Sequence, residues 1–182
     1  MRKFLVVVDM QNDFITGVLG SKEAQAIVDN VSKKVGDYVQ NDDVIVFTKD
    51  FHNDKYYLST LEGKYLPVKH CIYSTKGYDL ITELQYFVDH YHNAHVVDKS
   101  TFGYREWDYS PEIFGCEHKS KEMQFELVGV CTDICVIANA LLLRTYYPES
   151  RIIVDSSCCA GSTPEKHEAA LEVMKSCHID VI

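Results

Sequence analysis

Long hydrophobic runs are missing from this chain. Even a run such as Phe4–Val8 falls far short of the roughly 20 apolar residues that a membrane-spanning helix needs. Nothing after Met1-Arg2-Lys3 continues into a secretory leader, because Asp9 breaks the apolar run at once, and a cytoplasmic location is expected. Runs of Lys and Arg are missing as well. The 18 basic residues are outnumbered by 27 acidic ones, and a net charge of -9 repels phosphate, so nucleic acid is not an expected partner. The four prolines, at 67, 111, 148 and 164, are scattered, and no repeat or Pro/Gly-rich linker divides the sequence. One domain over residues 1–182 is the expectation. No two cysteines have CxxC spacing: Cys131 and Cys135 are four apart and Cys158 and Cys159 adjacent, which argues against a tetrathiolate zinc site. The seven cysteines are an odd number, which fits reduced thiols better than a disulfide framework.

What is present is an ordinary globular composition, 46% hydrophobic and 25% charged. Short apolar runs at Phe4–Val8, Val44–Phe47, His95–Val97, Phe125–Val130 and Ile152–Val154 predict buried strands, and Ile179–Ile182 predicts a last one. They are continuous rather than alternating, as strands covered on both faces are. Helical spacing follows Ser21 as far as Val35, spans Tyr78–His90, runs from a cap at Thr132 or Asp133 through Tyr147 to Pro148, and goes from Thr163-Pro164 to Lys175. The alternation predicts an α/β fold, a three-layer α/β/α sandwich around a mostly parallel sheet. Residues 51–77 read as a long loop with short turns, a common place for function.

In open sheets of this kind ligands gather at the carboxyl ends of the strands. Asp9 follows the first predicted strand, Asp50 the second, Asp98-Lys99 the third and Cys131 to Cys135 the fourth. A thiol in the first turn of a helix is expected to have a lowered pKa, with Asp9 to accept its proton and Lys99 to stabilise the charge. Each residue alone has a plain alternative: a packed cysteine, a turn-capping Asp9, a surface Lys99. Together at one rim they read as a nucleophile with its partners. The physics leaves Cys131 and Cys135 both open as nucleophile, and the helix position favours Cys135. A second constellation lies nearby. Asp50 and His52, two apart, share a face in extended backbone, with Glu62 and His70 further along the loop. Mixed imidazole and carboxylate donors suit Zn, Fe or Mn. His90, His92, His95, His118, His167 and His178 read as ordinary loop and surface histidines.

Asp9-Met10-Gln11-Asn12-Asp13-Phe14, Lys99-Ser100-Thr101-Phe102 and Gly129-Val130-Cys131-Thr132-Asp133-Ile134-Cys135-Val136 resemble three signature blocks of the isochorismatase-like cysteine hydrolases. Asp50-Phe51-His52 and Leu66-Pro67-Val68-Lys69-His70-Cys71 resemble further blocks of the nicotinamidase branch, and the likeness continues through Ser157–Pro164 and His167. The resemblance implies a triad of Asp9 as acid and base, Lys99 as electrostatic partner and Cys135 as nucleophile. It implies a cis peptide at Val130–Cys131 and an oxyanion hole from the amides of Cys131 and Cys135. Asp50, His52 and His70 match metal ligands, with Glu62 at a fourth position that varies in the family. The divalent metal, zinc first with iron or manganese as alternatives, would hold a pyridine nitrogen. Phe14, Leu66 and Phe102 (or Tyr104) would wall the substrate, Leu66 standing where many relatives have Trp. The implied reaction converts nicotinamide to nicotinic acid and ammonia through a thioester, in a homo-oligomer with a small-molecule amide as its partner. Hydrolysis of another small amide or of isochorismate in the same fold is an alternative, and a non-catalytic binding or thiol-sensing protein is one of another class.

Overall fold

Alternate residues of the first apolar run point to opposite sides of a sheet, and both sides are dry. This is seen in a computed structural model that describes residues 1–109, 113 and 123–182. Phe4, Val6 and Val8 enter one core with Phe125, Leu127, Ala140, Leu143 and Leu171, while Leu5 and Val7 enter another with Val31, Val35, Ile45, Phe47 and Leu84. That two-sided burial explains a continuous apolar run where a half-exposed strand would alternate.

The elements in chain order are β1 (Arg2–Val8), α1 (Asn12–Ile15), α2 (Lys22–Ala26), α3 (Val28–Gln40), β2 (Val44–Asp50), α4 (Leu61–Tyr65), α5 (Thr82–His90) and β3 (Ala94–Lys99). Then come β4 (Met123–Val130), a turn of π-helix (Thr132–Val136), α6 (Ile137–Tyr146), β5 (Arg151–Ala160), α7 (Pro164–Ser176) and β6 (Asp180–Val181). All six strands are parallel, in the order β3-β2-β1-β4-β5-β6. The chain winds outward from β1 to β3, then crosses to β4 and winds the other way. The crevice of such a sheet lies where the winding reverses, between β1 and β4.

Register brings the expected residues to that edge. Val8 pairs with Gly129, so Asp9 lies beside the start of the Cys131 turn, and Asp50 pairs directly with Lys99. Gly129 has φ +112, and a Cβ there would sit 2.2 Å from the Val8 carbonyl oxygen, so the close approach of β1 and β4 requires glycine.

Several local expectations need correction. The helix after Ser21 is two helices: Ser21 caps α2 by accepting from the Ala24 N–H, and the chain bends at Ile27 before α3. The predicted Tyr78–His90 helix begins at Thr82, because Leu80 is taken into a bridge with Gln11. Thr163 and Pro164 open α7 as expected, with the Thr163 side chain accepting from the Lys166 N–H. Residues 51–77 carry α4 and a 3₁₀ turn at Tyr57–Ser59. Cys116 and His118 lie outside the described residues.

One buried ion cluster pins α3 to the middle of the sheet. Lys34 lies 2.6 Å from Glu126 of β4 and 2.8 Å from Asp155 of β5, and the Tyr38 hydroxyl donates to Glu126 at 2.7 Å.

Candidate active site

Four strand ends converge on Lys99. Its Nζ lies 2.7 Å from Asp9 Oδ2, 3.5 Å from Asp50 Oδ1 and 3.5 Å from the Cys135 Sγ, with all four residues buried. Burial works against the ammonium charge, yet Asp9, Cys135 and Asp50 outweigh it and hold the Lys99 pKa above its ordinary value. Asp9 is also raised, but for a carboxyl group that favours the neutral form. Its burial raises its pKa more than Lys99 lowers it, and Asp50 adds to the rise. The Thr48 hydroxyl donates to its other oxygen at 2.6 Å and fixes the carboxylate in plane. Asp9 has φ +50, an uncommon backbone conformation that turns its side chain from the strand toward the lysine.

The thiol expectation needs correcting. A helix dipole was expected to lower the Cys135 pKa, but the pKa is raised well above the ordinary thiol value, first by burial and then by the nearby Asp9, with Lys99 opposing. The resting group is therefore a thiol held next to a carboxylate that can take its proton. Cys131 is pushed up to about 12, by burial and then by Asp133 and Asp9. The Lys99 hydrogen bond goes to Cys135, and that contact separates the two thiols where sequence left both open.

The turn that carries Cys135 is held from outside. The Val130–Cys131 peptide is cis, as the resemblance implies. Neither Thr132 nor Asp133 caps the following helix; Cys131 occupies the cap position with no side-chain bond. Thr132 instead meets His167 Nδ1 at 2.8 Å, and the Asp133 carboxylate accepts from Ser162 N at 2.7 Å and Ser162 Oγ at 2.6 Å. His167, read as an ordinary histidine, thus braces the turn that carries Cys135.

Next to the triad is the mixed donor group. The ligand atoms of Asp50, His52, Glu62 and His70 all lie within 4.8 Å of one another, and among the described residues this is the one such group. Asp50 Oδ2 is 2.8 Å from His52 Nε2 and 3.4 Å from His70 Nε2; Glu62 Oε1 is 3.5 and 3.6 Å from the same two nitrogens. His52 Nε2 is buried with no well-aligned hydrogen bond despite these short distances. His70 Nδ1 faces the Val68 carbonyl at 2.8 Å, which calls for a proton on Nδ1 and leaves Nε2 as a lone pair. Two imidazole lone pairs and two carboxylates converging on one point fit a divalent cation, and the donor set suits zinc, iron or manganese. Without a cation the group binds protons. Burial opposes charge on the histidines, but Asp50 and Glu62 raise His52 to about 9 and His70 to about 10. Burial would raise Glu62, yet hydrogen bonds from the two histidines bring it to about 2, and they hold Asp50 well below the carboxylate range together with Lys99.

Gln11, Asn12 and Asp13 stand in the first signature block, where sequence alone marks no role for them. The fully buried Gln11 accepts from Asp50 N at 2.7 Å and donates to Asp50 O and Tyr78 O at 2.9 and 2.8 Å. Asn12 donates to the carbonyls of Lys76 and Asp79. Asp13 accepts from Cys71 N at 2.8 Å, beside His70, where Cys71 has φ +45. A Cβ on Gly77 would lie 2.1 Å from the Asp13 carboxylate, so this contact needs glycine. These three residues tie the metal loop to β1, and the signal was the density of amides and carboxylates directly after Asp9.

The site opens into a cavity of about 990 Å³ lined by Asp50, His52, His70, Cys131 and Cys135 at its polar end, with Phe14, Leu66 and Phe102 among its apolar walls. Phe14 is tilted on His70, ring centres 5.5 Å apart. Tyr104, offered as another wall, is buried against Trp107 instead.

A family model described as the isochorismatase domain matches residues 3–182. The chain belongs to the isochorismatase family. It is 31% identical to an uncharacterised isochorismatase family protein of Bacillus subtilis, over 94% of this chain and 93% of that one. It is 27% identical to the nicotinamidase/pyrazinamidase of Mycobacterium tuberculosis, over 98% of this chain and 97% of that one. The crystal structure of nicotinamidase PncA from Bacillus subtilis superposes with a TM-score of 0.84 at 26% identity, over 100% of this chain and 99% of that one. The likeness of fold therefore extends over nearly the whole of both chains. No helix among the described residues is long and apolar enough to cross a membrane.

Proposed function

We propose that this isochorismatase-family chain is a cysteine-dependent amide hydrolase with nicotinamide as substrate. The observation that carries the reading is the contact of one buried lysine with Asp9, Asp50 and Cys135 at the polar end of an apolar cavity. The relatives named as nicotinamidases support the choice of amide.

The carboxamide carbon is attacked by Cys135 Sγ as its proton passes to Asp9, whose raised pKa suits it to hold one. The amide oxygen takes up the developing charge against the backbone N–H groups of Cys131 and Cys135. As the C–N bond breaks, Asp9 returns the proton to nitrogen and ammonia leaves. Asp9 then takes a proton from water, whose oxygen cleaves the thioester; nicotinic acid departs and the thiol is restored. Lys99 stays charged throughout and steadies both Asp9 and the transient thiolate. Asp50, His52, Glu62 and His70 would hold the divalent metal, which when bound supplies a Lewis-acidic point for the pyridine nitrogen. Phe14, Leu66 and Phe102 give the ring apolar walls. The chemistry needs a reduced Cys135, as a cytoplasmic compartment provides, and the six described cysteines are all free.

Ammonia release from nicotinamide by the purified protein, beside its Cys135→Ala variant, tests the reading. Release by the native protein and none by the variant is expected; equal release by both would overturn it. The size of the cavity favours a second reading in the same chemistry, hydrolysis of a larger amide, since a single pyridine carboxamide fills only a small part of 990 Å³. An amide panel distinguishes the two. A non-catalytic binder has no use for a thiol, a carboxylate and a lysine in mutual contact, and the geometry argues against that alternative.

A further inference from the structure

Asn139 lies in α6, one turn beyond Cys135, and its side chain is fully buried. Its Oδ1 accepts two hydrogen bonds, from Tyr104 N at 2.8 Å and from Trp107 Nε1 at 2.9 Å. Its Nδ2 donates two, to Cys135 O at 2.8 Å and to Phe102 O at 3.4 Å. The whole capacity of one amide is used. The segment it holds, residues 100–109, follows Lys99 directly and carries turns but no helix or strand. Two of the four bonds reach the carbonyls of residues that line the cavity, Cys135 and Phe102. The other two anchor the far end of the segment, where Trp107 is fully buried and its carbonyl accepts the Tyr147 hydroxyl at 2.6 Å.

We propose that Asn139 is a positioning residue, a single buried amide that sets the Cys135 turn against the segment carrying Lys99 and Phe102. Lys99 and Cys135 come from different strand ends and meet at 3.5 Å. β3 and β4 are not neighbours in the sheet, so no strand pairing fixes that distance. Asn139 spans the gap. The inference rests on Cys135 as the nucleophile.

The test is the rate at which iodoacetamide alkylates each cysteine, resolved by peptide mass spectrometry, in native protein and in Asn139→Ala. This readout needs no substrate, so it stands whichever amide is hydrolysed; a Cys135 rate that Asp9→Asn leaves unchanged would count against the nucleophile assignment rather than against Asn139. The expected result is a slowing of Cys135 by at least about fivefold, because a thiol displaced from Asp9 and Lys99 loses the base that takes its proton as it attacks, with buried Cys71, Cys158 and Cys159 unchanged. Trp107 is the only tryptophan, so its emission reports the same junction and should shift to the red. A Cys135 rate within about twofold of native overturns the proposal. So does a joint rise at all the buried cysteines, the mark of a merely structural residue whose loss loosens the fold. Should Asn139→Ala not fold, Asn139→Asp keeps the volume and the acceptor toward Trp107 while losing the amide donor. It should keep the native emission and still slow Cys135 alkylation; native alkylation in that variant also overturns the proposal.

Discussion

Two lysines of this chain sit between pairs of carboxylates in different surroundings. Lys34 bridges Glu126 and Asp155 in mid-sheet beneath α3. Lys99 bridges Asp9 and Asp50 at the carboxyl edge, where Cys135 and Asp50 open onto the cavity. Both lysines are held in the charged form: burial opposes it in each, and the paired carboxylates prevail. A charged lysine held by two carboxylates is thus common to the two clusters, though Lys34 is less deeply buried than Lys99. What the Lys99 cluster adds is a thiol, a position past the strand ends and space for a substrate. A buried ion pair alone is weak ground for a functional assignment, since structural networks perturb their groups equally.

The sharpest way to separate the clusters is to remove one group from each. Cys135→Ala should lower kcat/KM for amide hydrolysis by at least about 10³-fold while changing stability by less than about 1 kcal/mol, measured by ammonia release and urea unfolding. Lys34→Met should do the reverse. It leaves Glu126 and Asp155 without their cation and should cost about 2 kcal/mol of stability, a figure kept modest because Lys34 retains some exposure, with kcat/KM within about twofold of native. Loss of activity in Lys34→Met without loss of stability would erase the distinction.

The metal group gives a smaller and pH-dependent effect. His52→Ala should reduce the divalent metal that co-purifies with the protein, measured by elemental analysis. In metal-free protein His52 and His70 keep protons to about 9 and about 10, above the ordinary imidazole value near 6.5. Folding then takes up protons, so the stability these groups confer is full below about pH 6.5 and is lost as pH rises through about 9 to 10. A bound cation replaces those protons. The Tm advantage of metal-loaded over metal-free protein should therefore widen from about pH 6.5 to about 9, and a flat difference would contradict the four-ligand reading. The smallest effect is expected at the cavity mouth. Tyr65 is 85% exposed, and Tyr65→Ser should change stability by no more than about 0.5 kcal/mol.

The contrast also explains how far the sequence could be read. The inner strands β1, β2, β4 and β5 were legible because two-sided burial writes itself as continuous apolar runs; β3 and β6, expected to be buried too, are partly exposed because they form the two edges of the sheet. Asp9, Lys99 and Cys135 were legible because each stands at a strand end, a place that topology makes common to all three. Asp50 and His52 share a spacing, and His70 stood out by resemblance. Gln11 and His167 were not legible as braces. Their partners lie 39 and 35 residues away, and no local pattern marks a side chain that bonds to distant backbone or to a turn. The Lys34 cluster was missed for the same reason. The direction of the Cys135 shift was misread because the dipole of a helix is visible in sequence, whereas burial of the thiol beside Asp9 is a tertiary fact that outweighs it.

In the proposed reaction Cys135 Sγ is the atom that bonds to the substrate carbonyl carbon. Acid-quenching the protein during turnover of nicotinamide and mapping its peptides by mass spectrometry tests this directly. The prediction is a nicotinoyl thioester on the peptide carrying Cys135, with Cys131 unmodified. Steady turnover with the acyl group on Cys131, or with no acyl group on any cysteine under conditions where deacylation is rate-limiting, would contradict it.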